Sequence, residues 1–73
     1  MLKNKRGEKK EISRQKINIA MARKQWTVAD LAEAYGVSRA RINVILNQRS
    51  VSVVSAGRLA AALGVDVTEI LED

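Results

Sequence analysis

Residues 27–49, TVADLAEAYGVSRARINVILNQR, constrain the fold more than any other stretch of the chain. Val28, Leu31, Ala32 and Tyr35 fall at i, i+3, i+4 and i+7, one apolar face of a helix. Ile42, Ile45 and Leu46 repeat that spacing, and only Gly36-Val37-Ser38 separates the two sets. Thr27 is a natural N-cap, with Asp30 at the third helical position in place of the usual Glu or Gln of a capping box. Gly36 suits the left-handed backbone that follows a helix, and Ser38 caps what comes next. Two short helices must therefore cross steeply around a small turn, with Val37 plugging the space between them. The second of the pair is expected from Arg39 to Leu46 or Asn47, with Asn47 ending it in the left-handed conformation.

The flanking sequence supplies further helices. Ser13 caps one that runs to about Lys24, with Ile12 and Ile17 placed for a hydrophobic staple and Ile17, Ala20 and Met21 facing inward. Trp26 then covers the core from a loop. Gln48, Arg49 and Ser50 read as a polar loop, and Ser52 caps a helix whose buried face is Ala56, Leu59, Ala60 and Leu63. Gly64 stops that helix, and Gly57 inside it reads as a place of close helix packing. Asp66 and Glu69 form an acidic capping box for a short fifth helix that includes Ile70 and Leu71. Val65, Val67, Ile70 and Leu71 either finish the core or form a dimer seam. The expected architecture is all-α, a compact five-helix bundle over residues 12–73, preceded by a mobile basic arm over residues 1–11.

Composition narrows the function. The chain has 73 residues, one small domain at the low end of what buries its own core. With no Cys and no His, disulfides, thiol chemistry and the commonest zinc sites drop out. The lack of Cys fits a cytoplasmic location, and no cofactor is implied. The chain has no Gly-rich phosphate cradle and its carboxylates are scattered or serve as caps, so an enzyme is not expected. No apolar run approaches the roughly 20 residues that span a bilayer, and no membrane role is expected. Net charge is +5, unevenly spread. Residues 1–24 carry nine bases against Glu8 and Glu11, whereas the chain from Ala60 onward has four acids and no base. A basic front points to a polyanionic partner.

Arginines at the start of the third helix, behind a tight turn, are the sequence form of a helix-turn-helix, whose second helix lies in a DNA major groove. The run T-V-A-D-L-A-x-x-x-G-V-S-x-x-x-I-x-x-I, followed by S-x-x-S-x-x-R-L-A-A-A-L-G-V-D-x-x-x-x-L, resembles the lambda-repressor-like (Cro/CI, XRE-type) helix-turn-helix family over residues 17–71. The A-L-G-V ending and its spacing to the turn make the likeness more specific than the turn alone. The resemblance implies a five-helix DNA-binding domain of a bacterial or phage regulator, often acting as a dimer on a palindromic operator.

Taken position by position, the resemblance puts Arg39, Ala40 and Val44 at base-facing slots, with Asn43 bordering them. It puts Asn47 and the following Gln48 at positions that meet phosphate. Arg39 carries a planar fork suited to O6 and N7 of guanine, and Ala40 and Val44 suit a thymine methyl. Arg41 and Arg49 are expected on phosphates. Thr27 and Val28 begin the second helix, whose N-terminus is expected to hold a phosphate through backbone N–H groups.

The sequence departs from the family in three ways. Val28 stands where the family commonly has Gln. Met21 and Leu46 stand where it often pairs Arg with Glu, an exchange that packed apolar side chains tolerate. Ala40 and Val44, with Val28, form a small apolar strip on the reading side.

Two functions follow. One is a sequence-specific DNA-binding transcriptional regulator, a small Cro/CI-like repressor without a sensor domain, acting on double-stranded DNA as a homodimer. The other keeps the fold but changes the partner: a modulator or antirepressor bound to a repressor protein, or an antitoxin that holds a toxin and represses its own operon.

Overall fold

Each helix starts where a short polar side chain accepts a bond from the backbone three residues on. The structure, a computed structural model, describes residues 8–72. Ser13 Oγ accepts from the Lys16 N–H at 3.1 Å and opens α1, Arg14–Lys24. Thr27 and Asp30 close a full capping box on α2, Val28–Tyr35, with the Thr27 N–H donating to Asp30 Oδ2 at 2.8 Å. Ser38 and Ser52 do the same for α3, Arg39–Asn47, and α4, Val53–Leu63. A cap of this kind is worth about 1 kcal/mol. The chain thus fixes its four helix starts locally.

The helices bury the faces their spacing predicts. Ile17, Leu31, Ile42, Leu59, Leu63 and Ile70 are the largest side chains with under 2 % exposure, and they meet in one core. Burying each contributes roughly 1.5–3 kcal/mol. Met21 and Leu46 are also buried there, so the apolar substitutes for an ion pair are core residues. Trp26 and Val37 pack half-buried against it, Trp26 with the Lys24 ammonium 4.9 Å from its ring centre. No helix among the described residues is long and apolar enough to cross a membrane.

An all-α, five-helix architecture is not what forms. Lys9–Glu11 is a strand, β1, antiparallel to β2, Ser50–Ser52, with Lys9 opposite Ser52 and Glu11 opposite Ser50. The arm expected over residues 1–11 is therefore strand at 9–11, and its first seven residues lie outside the described residues. Ile12 anchors the strand. Its side chain is buried and its N–H donates to the Arg49 carbonyl at 3.1 Å, while the Ser13 N–H donates to the Ile70 carbonyl at 2.7 Å.

The fifth helix reduces to one 3-10 turn, Val67–Glu69, behind the expected Asp66–Glu69 box. Ile70 and Leu71 leave it because their backbone is wanted elsewhere: Ile70 bonds Ser13, and Leu71 bridges Ile12. Ile70 is buried, with Val65, Val67 and Leu71 packed partly buried around the core. These four residues finish the core.

Two further expectations, at Asn47 and Gly57, differ as well, and the α1 end has a conformation its sequence does not announce. Asn47 is not left-handed; it is the last residue of α3, and Gln48 leaves extended at φ −78° and ψ 137° because the chain must enter β2 directly. α1 ends on a left-handed Gln25, φ 58°, with the Trp26 N–H donating to the Met21 carbonyl at 3.0 Å. Gly57 is exposed in α4 and a Cβ there would meet nothing within 4 Å, so it serves no close packing.

Gly36, by contrast, sits at φ 96°. Gly57→Ala should therefore raise stability by about 0.5–1 kcal/mol, whereas Gly36→Ala should cost about 1–2 kcal/mol. Urea denaturation of both variants checks the opposed signs.

The Asp66 carboxyl is held below its ordinary pKa, first by the Thr68 hydroxyl and then by the Thr68 N–H. A depressed pKa means a contribution present at neutral pH that is lost as pH falls through the lowered value. Asp66→Asn should reduce the loss of stability between neutral and strongly acidic pH, read by urea midpoints at both.

Candidate nucleic-acid interface

α3 is short, and its inward side settles where its outward side must be. Ile42, Ile45 and Leu46 are buried, leaving Arg39, Ala40, Asn43, Val44 and Asn47 exposed on the opposite side. Val44 is 49 % exposed, high for a valine of this size on a helix of a small domain. Val28 is half-buried against the core, so Ala40 and Val44 carry most of the apolar strip. Arg39 has no carboxylate partner among the described residues.

Two helix N-termini near the turn differ in charge. At α2 the Asp30 carboxylate takes both the Thr27 N–H and its hydroxyl, so the Val28 and Ala29 N–H groups are those left for a phosphate. At α3 the first turn contains no acid and starts with Arg39. The macrodipole therefore meets a carboxylate at α2 and only cations at α3. Of these two N-termini, the one at α3 attracts a polyanion more strongly.

The remaining predicted residues lie around that helix. Arg41 is exposed on the flank of α3, and Gln48 and Arg49 are exposed between α3 and β2. Arg49 also supplies the carbonyl that accepts from Ile12, so its position is tied to β1.

One long-range contact braces the turn without any local signal in the sequence. Arg58, on α4, donates from Nη2 to the Tyr35 carbonyl at 3.1 Å and stacks with its Cζ 4.3 Å from the Tyr35 ring centre. It clasps the last residue of α2, next to Gly36. The partners are far apart in sequence, and no local pattern links them.

The family model of the Cro/C1-type helix-turn-helix DNA-binding domain matches residues 16–73. The chain belongs to that family. Its fold and charge distribution agree with a DNA-binding regulator, whose partner is double-stranded DNA. No curated protein and no solved structure matches the chain.

Proposed function

We propose that this Cro/C1-type domain is a sequence-specific repressor that lays α3 in the major groove. The observation that carries the reading is the outer face of α3: Arg39, without a carboxylate partner among the described residues and at the acid-free N-terminus, followed by exposed Ala40, Asn43 and Val44. Arg39 reads guanine through O6 and N7, Ala40 and Val44 meet thymine methyl groups, and Asn43 borders them. Arg41, Asn47, Gln48 and Arg49 hold phosphates on the α3 side, and the free N–H groups that follow Thr27, those of Val28 and Ala29, hold one at α2. Occupation of the groove over a promoter is sufficient for repression, and a homodimer on a palindrome would double the contacts.

A second reading is favoured by one observation. Val44 and Val54 are 49 % and 73 % exposed, and apolar groups at that exposure also suit a protein partner. On it the chain is a modulator or antirepressor of a repressor, or an antitoxin, and Arg39 and Arg41 meet acidic side chains.

Binding to the DNA flanking its own gene should weaken steeply with salt. Arg39→Ala should lose about 1–3 kcal/mol of preference for that DNA over a scrambled duplex, measured by fluorescence anisotropy. Absence of salt-dependent binding, with capture of a neighbouring gene's product instead, would favour the protein-partner reading.

A further inference from the structure

The geometry points to a second anion site, beside the reading face, that takes a phosphate-class oxyanion between β1, α3 and α4. Lys9, Arg41 and Arg58 line one cleft of about 300 Å³, at the small end for ligand clefts and suited to a single phosphate group. Among the described residues no acidic side chain lines it. Three cations drawn to one cleft from three separate elements repel one another, and an anion removes that cost.

The other lining groups favour an oxyanion in particular. Ser52 and Ser55 bring hydroxyls, and they sit at the N-terminus of α4, whose first turn has no acid. Arg58 is already held in place by Tyr35, through the carbonyl bond and the ring, and spends one of its five N–H donors there. A guanidinium fixed before binding loses little freedom when it grips two oxygens. Neither Lys9 nor Arg41 has a carboxylate partner among the described residues.

Lys9 reaches the cleft only because β1 pairs with β2, opposite Ser52. The N-terminal strand is thereby a part of the binding surface. Arg41 lies on the flank of α3 away from Arg39, so the cleft adds affinity and register without reading a base. The source of the phosphate is the backbone of bound DNA, which rests on the DNA-reading function proposed for α3; the anion site itself does not.

Two measurements on the full chain separate these levels. In the absence of DNA, inorganic phosphate is titrated against chloride at matched ionic strength, following the Ser52 and Ser55 amides and the Arg58 Nε–H by NMR. Shifts confined to these groups in phosphate, weakened several-fold in Lys9→Ala and in Arg58→Lys, are expected. On DNA, Lys9→Ala should lower the slope of log K against log salt by about one while leaving sequence preference intact. Phosphate shifts with an unchanged slope keep the site and assign it to a free phosphate-class anion. No shifts and no slope change, in a protein that binds DNA, overturn it. If DNA is not bound at all, the repressor reading fails while the titration still decides the cleft.

Discussion

The joint at Gly36 controls the direction of α3, and with it nearly everything the protein presents. Its left-handed backbone lets the Gly36 and Val37 N–H groups both donate to the Ala32 carbonyl, at 2.8 and 3.0 Å, and so closes α2 in a single residue. Ser38 opens α3 two residues later, leaving no slack between the helices. Nine residues make α3 too short to stand without packing. It is held instead by Ile42, Ile45 and Leu46 in the core, and the same three residues turn Arg39, Ala40, Asn43 and Val44 to the outside. Arg58 braces the joint from α4 by clasping Tyr35, the residue before Gly36. Specific orientation of the outer face is thus a consequence of core packing and one permissive glycine.

Local chemistry was legible in the sequence, and long-range pairing was not. The five caps, at Ser13, Thr27, Ser38, Ser52 and Asp66, work between residues two or three apart, so composition at short spacing is sufficient to find them. The apolar period likewise identified the inward faces of all four helices and, by subtraction, the outward face of α3. β1 and β2 escaped because three-residue strands have too little alternation to register. Their pairing also joins segments far apart in the chain. The end of α3 went astray for the same reason: Asn47 is a good left-handed residue, but the demand of β2 for an extended exit overrode that preference. Gln25 is the converse, a left-handed helix end on a residue type that gives no signal for it. The outward placement of Arg39 and its neighbours follows from periodicity, whereas the meeting of Lys9 and Arg58 at one cleft does not.

Charge placement separates affinity from selectivity in this small chain. The acid that stabilises the start of α2, Asp30, also repels a phosphate there, so the cost of good capping is a weaker anion site. At α3 a neutral Ser38 performs the capping and leaves the field to Arg39 and Arg41. On the proposed reading, Ala40 and Val44 can offer shape and methyl contact but no side-chain hydrogen bond, which leaves the polar part of base recognition to Arg39 and Asn43. If α3 reads bases as proposed, a face with so few polar groups depends on phosphate contacts for register.

That dependence gives β1 its place in the structure. Three exposed residues in a two-stranded sheet do not hold themselves in water. They are held because Ile12, next along, buries its side chain in the core and fixes its backbone to Arg49 and, through the Ile12–Leu71 bridge, to the C-terminal stretch. The Glu72 N–H donates to the Glu11 carbonyl at 2.9 Å and completes the clamp. The position of Lys9 beside Ser52 is therefore set by a buried isoleucine three residues away. Loss of that anchor would free a cation from the surface without touching any residue of α3. At Ile12 an ordinary packing contact determines whether the cations of β1, Lys9 and Lys10, are part of the folded domain or merely attached to it.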